Sequence, residues 1–136
     1  MNIKKSYVFV LLFLCQWFLF SLESNYELNK EFQKAKKEYS SGWQVGYLRC
    51  RKRVENLVSI LNQKLRRHKM LLGKSYLLLG ATCERLNKTK DMIIYYRKAR
   101  VILNKWFNLR TYDVEFICDI KIKHFRGYKK YFLRSI

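Results

Sequence analysis

The chain has 136 residues, 29 Lys and Arg against 10 Asp and Glu, five glycines and no proline. This length supports one small domain after any N-terminal segment is set aside. Turns depend on glycine and proline, so their scarcity disfavours a many-stranded β fold and favours long helices. The net charge of +19 attracts nucleic acid, anionic lipid or an acidic protein. The simpler explanation of this charge is compositional bias on solvated helix faces, with a dedicated anion site as the alternative.

Residues 1–24 have the composition of an export segment. Lys4 and Lys5 precede the uncharged stretch SYVFVLLFLCQWFLFSL, and Glu23 ends it. A basic start followed by an apolar stretch is typical of a secretory signal peptide. The stretch is slightly shorter than the roughly 20 residues of a relaxed membrane span. We therefore expect an exported chain, periplasmic or facing the extracytoplasmic side. Residues 1–24 fit either a cleaved signal peptide or an anchor that enters the membrane through residues 7–22.

Cys15 lies inside this apolar stretch. A lipoprotein signal places a small residue before the lipidated cysteine and polar residues after it. Here Leu14 precedes the cysteine, and the apolar stretch continues to Leu22. The preferred interpretation is a buried, unmodified thiol, and lipidation of Cys15 remains the alternative.

Beyond this segment, apolar residues recur every three or four positions, which predicts four helices. They extend from about Asn25 to Ser40, Trp43 to His68, Leu72 to Leu86 and Thr89 to Lys105. The last thirty residues have apolar residues near helical spacing, but ICDIKIKHF also alternates as a strand would. We predict a helix there as well, because the rest of the chain offers no partner strand. The expected fold class is all-α.

A repeat pattern is clearest in residues 73–106. Its packing positions are Tyr76, Leu79, Gly80 and Cys83 on one helix and Met92, Tyr96 and Ala99 on the next. Gly80 and Ala99 are small where two helices would cross closely, and Tyr96 would fill the space beside the crossing. The segment resembles a tetratricopeptide repeat, with its Leu-Gly pair, aromatic residue and small residue in order. It departs from that pattern at Cys83, Met92, Asn87 and Asn104, which replace the usual Tyr, Ala, turn Gly and closing Pro.

Weaker units flank this repeat at residues 28–60 and 108–134. The resemblance implies a short array of two to three antiparallel helix pairs within residues 25–136. The connector between the first two units is long, since 23 residues separate Cys50 from Gly73. An extended second helix after an export segment is similar to the repeat-bearing lipoprotein of the bacterial outer-membrane β-barrel assembly machinery. This resemblance implies an exported scaffold that binds a protein partner, such as an envelope or outer-membrane assembly component.

Stacked helix pairs leave a concave face that accepts a peptide or a partner helix. The candidate groove residues on the first helices are Lys34, Lys37, Lys74, Leu77, Leu78 and Thr82. For Leu77 and Leu78, burial against the long second helix is the preferred alternative. An array of so few units is marginal in stability, so self-association is left open.

The sequence predicts neither an enzyme nor a cofactor or metal site. His68 and His124 each lack a second histidine or a carboxylate at helical spacing, and zinc requires three or four convergent ligands. A phosphate-binding glycine loop and a Ser/His/Asp set are also missing. Export would place Cys50, Cys83 and Cys118 in an oxidising compartment. Buried free thiols are the preferred state, with a Cys50–Cys83 disulfide as the alternative.

A second class of function is a basic module that binds anions. The C-terminal stretch HFRGYKKYFLR alternates aromatic and basic residues. Such a mixture can stack on bases and neutralise phosphates, or lie on an anionic membrane surface. Export argues against nucleic acid, so the membrane surface is the preferred form of this alternative.

Overall fold

The computed structural model describes residues 3–64 and 68–107, of which 3, 17–25 and 105–107 are described as backbone only. In these ranges the chain forms four α-helices: α1 (Ile3–Ser40), α2 (Gln44–Gln63), α3 (Lys69–Arg85) and α4 (Thr89–Phe107). The all-α prediction is confirmed for this part of the chain. The predicted unit at 108–134 and the choice between helix and strand in the last thirty residues lie outside it.

Helix α1 contains residues 3–24 of the predicted export segment and does not begin at Asn25 as expected. The chain divides into two compact units, Met1–Lys30 and Glu31–Ile136. In the first unit, the apolar side chains from Tyr7 to Leu14 are exposed. None of the helices that the structure describes combines the length and the apolar character that crossing a membrane requires.

In the second unit, α3 is the central helix and packs against both α2 and α4. Its side chains are buried on nearly every side, from Leu71 to Cys83 with the exception of Lys74. Ser75 and Thr82 are polar but fully buried. Each hydroxyl donates a hydrogen bond of 2.7 Å to the backbone carbonyl four residues earlier, so its polar group is satisfied within the helix. A helix that is buried all round needs neighbours on opposite sides.

Two glycines allow α3 and α4 to approach closely. A Cβ atom added at Gly80 would lie 2.5 Å from Cε1 and 2.9 Å from Cγ of Tyr96. A Cβ atom at Gly73 would lie 2.6 Å from Cδ2 of Leu103. Residues seven apart on a helix share a face, so both glycines present backbone to α4. Tyr96 is fully buried at this crossing, and its hydroxyl donates to a carboxylate oxygen of Glu84 at 2.9 Å.

The turn between α3 and α4 is built around Asn87, which has a positive φ of 57°. The N–H of Asn87 donates to the carbonyl of Glu84 (3.2 Å), and the N–H of Lys88 donates to that of Cys83 (2.9 Å). This pair of bonds is a Schellman C-cap, whose left-handed position favours glycine and accepts asparagine. Asn87 therefore takes the conformation of the turn glycine that it replaces in the repeat pattern.

Candidate functional site

The residues of the predicted repeat pattern lie in the core. Those seven residues, Tyr76, Leu79, Gly80, Cys83, Met92, Tyr96 and Ala99, are all buried. Tyr76 also accepts a hydrogen bond from Asn62 Nδ2 (3.2 Å) and stacks on Tyr95 with ring centroids 6.1 Å apart. These contacts hold α2, α3 and α4 together, so this set stabilises the fold and is not itself a binding surface.

Three of the six predicted groove residues are buried in this structure and do not line a surface groove. Leu77, Leu78 and Thr82 are all 0% exposed, because α3 has α2 on one side and α4 on the other. Thr82 Oγ1 lies 3.5 Å from Cys50 Sγ of α2. Lys74 is half-buried. The alternative, in which Leu77 and Leu78 are buried, describes these side chains correctly.

Lys34 and Lys37, the other two predicted groove residues, border an open groove in the second unit. This groove, called here the α1–α2 groove, has a volume of about 640 Å³. It lies between the last turns of α1 and the first turns of α2. The lining residues are Lys34, Lys37, Glu38, Ser41, Trp43, Val45, Gly46, Arg49 and Arg53.

Long side chains connect α1 to α2 beside this groove. Arg53 Nη1 donates to Glu31 at 2.8 Å, while its Nε and Nη2 donate to the two carboxylate oxygens of Glu38 at 3.1 and 2.9 Å. The rings of Tyr39 and Tyr47 meet with centroids 5.5 Å apart. These contacts join α1 to α2 next to the groove.

At the turn the two helices come closer. A Cβ atom at Gly46 would lie 2.6 Å from the carbonyl oxygen of Glu38. Gly42, in the connecting turn, has a positive φ of 75°, which glycine adopts without the strain that a side chain would cause. The backbones of the two helices therefore approach closely beside the turn.

The groove carries excess positive charge. The carboxylate of Glu38 is occupied by Arg53, and that of Glu31 by Arg53 and Lys34. The hydrogen bond from Arg53, followed by that from Lys34, lowers the pKa of Glu31 below its ordinary value of 4.5. Among the residues that the structure describes, no ion pair is formed by Lys37 or Arg49. Their charges are available to a ligand.

An exposed aromatic side chain lies beside these cations. Trp43 is 76% exposed and Val45 is 58% exposed. Trp43 occupies the N-cap position of α2 and makes no side-chain capping hydrogen bond, and the first turn of α2 has no acidic residue. The positive end of the helix dipole therefore lacks a side-chain counter-charge there. The groove combines cations with an exposed apolar surface.

Trp43 and Arg49 were not among the predicted site residues. Trp43 follows a turn glycine and lies four residues before Tyr47, so spacing alone assigns it to the apolar stripe of its helix. Arg49 belongs to the basic residues of that helix. A large aromatic residue at a turn, next to a basic helix face, is the pattern that would have identified them. The sequence alone does not show that α1 brings Lys34 and Lys37 to the same place.

The cysteines of the described residues are free thiols. Cys50 and Cys83 are buried, and burial raises the pKa of each to about 11. A buried thiol was expected at Cys15, but its side chain is exposed. Cys118 lies outside the described residues. In residues 3–64 and 68–107, no three His, Cys, Asp or Glu side chains are grouped to hold a metal ion.

No protein-family model, curated protein or solved structure matches the chain. The tetratricopeptide resemblance stays a prediction based on the residues quoted above.

Proposed function

We propose that the chain is an exported, membrane-associated adaptor of tetratricopeptide type that binds a protein partner. The observation that carries this proposal is the packing of Gly80 of α3 against Tyr96 of α4 while α2 covers the opposite side of α3. Helix pairs that pack in this way can be stacked, and stacked pairs present an extended surface to a peptide or partner helix. The partner would be an envelope or outer-membrane assembly component.

The N-terminal part of α1 supports membrane association. Its eight apolar side chains from Tyr7 to Leu14 are exposed, and contiguous apolar surface in water is typical of a site that another molecule or a membrane covers. The basic residues Lys4 and Lys5 precede it, as in an export segment. Residues 7–22 are the part of the chain that we assign to the membrane.

Affinity capture from envelope membranes of the source organism, at low and at high salt, tests the proposal. We expect a set of envelope proteins that stays bound at high salt, because apolar contacts are not screened. Mass-spectrometric sequencing of the bait's N-terminus would show whether it is intact, cleaved or lipidated at Cys15. Loss of every partner at high salt would contradict the proposal.

A second candidate function is a basic module that binds an anionic membrane surface, with nucleic acid as the less favoured ligand. It is favoured by the net charge of +19 and by exposed cations on α4, among them Lys90 and Arg97. Binding to phosphates releases counterions, so its affinity falls steeply with salt. The basic and aromatic stretch HFRGYKKYFLR lies outside the described residues. Retention on anionic vesicles that disappears at high salt, without a salt-resistant protein partner, would favour this candidate.

A further inference from the structure

We propose that the α1–α2 groove binds an acidic peptide segment that carries one large apolar side chain. This inference rests on the proposed function, because it names the place and the chemistry of the partner that the adaptor holds. The groove lies wholly within the second unit, between Lys34 and Arg53 in sequence.

Charge complementarity indicates an acidic ligand. The groove is lined by the four cations Lys34, Lys37, Arg49 and Arg53 and by the single acid Glu38. Glu38 binds Arg53, and the neighbouring acid Glu31 binds both Arg53 and Lys34. Lys37 and Arg49 therefore remain available to a ligand. Two carboxylates of a ligand would restore the balance of charge. Arg49 can bind a carboxylate in two parallel hydrogen bonds, which adds geometric specificity.

The apolar surface of the groove indicates that the ligand also carries a large apolar side chain. Trp43 and Val45 both line the groove, and both side chains are largely exposed to solvent. Tryptophan and arginine are both among the residue types enriched at positions that dominate binding energy. The groove volume of about 640 Å³ lies within the range of roughly 300–1,000 Å³ that is typical of ligand-binding pockets. It accommodates one large side chain together with its flanking backbone.

The shape of the site favours a peptide over a membrane or a nucleic acid. A bilayer presents a flat surface and contacts side chains that protrude from a protein. The groove is concave, and Lys37, Arg49 and Val45 are among the residues that line it. Single-stranded nucleic acids bind along successive aromatic side chains, and Trp43 is the single aromatic residue among those that line this groove. A segment with spaced carboxylates and one apolar side chain fits both features.

Fluorescence anisotropy on the full chain tests the inference with synthetic peptides. The probe is a labelled glutamate-rich peptide with one central phenylalanine, at ~0.15 M salt. Two control peptides replace either the phenylalanine by alanine or the glutamates by glutamine. The groove variant combines Lys37→Glu with Arg49→Glu. The matched control combines Lys52→Glu with Lys90→Glu, which changes the net charge equally at two exposed positions outside the groove.

We expect the groove variant to bind the probe about tenfold more weakly or worse, a loss of ~1.4 kcal/mol, and the matched control to bind as the parent does. Trp43→Ala should abolish the preference for phenylalanine over alanine in the peptide. Because Trp43 is exposed, we expect this variant to melt as the parent does.

Three results would overturn the inference. Equal losses in the groove variant and its matched control would mean that net charge alone attracts the peptide. Equal affinity for the phenylalanine and alanine peptides would remove the apolar contact. Displacement of the probe by phosphatidylglycerol vesicles or an oligonucleotide, but not by excess peptide, would assign the groove to a different ligand. If a salt-resistant envelope partner is bound equally by parent and groove variant, the inference fails while the proposed function stands.

Discussion

At the scale of single residues, the chemistry of the two buried cysteines is set by their surroundings. Burial raises the pKa of Cys50 and Cys83 to about 11. The thiolate is the nucleophile. At pH 7, about four units below this pKa, only about one in ten thousand of these groups would be in the thiolate form. Both side chains thus behave as small apolar residues of the core.

We predict that Cys50 and Cys83 react with a thiol reagent at least tenfold more slowly than exposed Cys15 in the folded protein. The measurement is the reaction of Ellman's reagent at pH 7 in a Cys118→Ser variant, with and without denaturant. Under denaturant all three cysteines should react at similar rates. Rapid reaction of all three in the folded state would show that the core opens readily or that the two thiols are not buried.

The backbone conformation of Asn87 predicts which substitutions the protein tolerates at this position. Its φ of 57° suits asparagine and glycine but strains a β-branched side chain. We expect Asn87→Gly to leave the melting temperature within a few degrees of the parent, while Asn87→Val costs about 1–2 kcal/mol. Chemical denaturation of both variants measures this. Equal stability of the valine and glycine variants would argue against the left-handed turn.

At the scale of helices, the crossing of α3 and α4 depends on the missing side chain of Gly80. We predict that Gly80→Leu destabilises the protein by ~3 kcal/mol or more, because even a Cβ atom would overlap the ring of Tyr96. Thermal and urea denaturation measure the loss. Lys90→Leu, which adds leucine at an exposed position of α4, should change stability by less than ~0.5 kcal/mol.

A double variant separates this overlap from a general effect of leucine on α3. Adding Tyr96→Ala to Gly80→Leu removes the ring that the leucine meets, so the two changes should cost less together than the sum of their separate costs. Additive costs, or a Gly80→Leu variant that melts as the parent does, would contradict the close crossing.

The ion pairs of Arg53 connect α1 to α2 and make this contact depend on pH. The pKa of Glu31 is lowered in the folded protein, so its contribution to stability is present above its ordinary pKa of 4.5. That contribution is lost as the pH falls through the lower folded-state value. The pairs are partly exposed, which limits their contribution to about 1 kcal/mol.

We therefore predict that Arg53→Met lowers stability at pH 7 by about 1 kcal/mol. The difference from the parent should shrink once the pH falls below 4.5. Thermal denaturation from pH 3 to pH 7 measures it, with Arg49→Met as a control that removes a cation without an ion pair in the described part of the chain. A difference that is constant with pH would show that Arg53 contributes through packing and not through its carboxylate partners.

At the scale of the whole molecule, the net charge of +19 opposes compaction because like charges repel. Raising the ionic strength from ~0.01 to ~0.15 M shortens the Debye length from ~30 to ~8 Å. We expect the melting temperature to rise over this range. The rise should be smaller in the Lys52→Glu, Lys90→Glu variant, which carries less net charge. Arg51 also forms ion pairs, with Glu55 and Asp91, both at 2.9 Å. A fall with salt would show that these pairs and those of Arg53 outweigh the general repulsion.

Only some of the groove residues named from the sequence line the groove in the structure. Lys34 and Lys37 were identified from their position off the apolar stripe, and both line the α1–α2 groove. The same argument named Leu77, Leu78 and Thr82 as groove candidates, with burial preferred for Leu77 and Leu78, and all three are buried. The argument fails for them because the spacing within one helix reports one buried face and does not show whether a second helix covers the other.

The sequence by itself determined the helical character of the described chain and the residues of α4 that face the core, Met92, Tyr96 and Ala99. It also located the turns at Gly42 and Asn87. These features depend on local spacing and on the backbone preferences of single residues. The tertiary structure alone decided that α3 is enclosed on two sides and that a cationic groove remains open beside Trp43. The enclosure of α3 and the open groove both depend on which helices are neighbours in space and on the side chains between them. These contacts join residues that are far apart in the sequence, so local spacing does not reveal them.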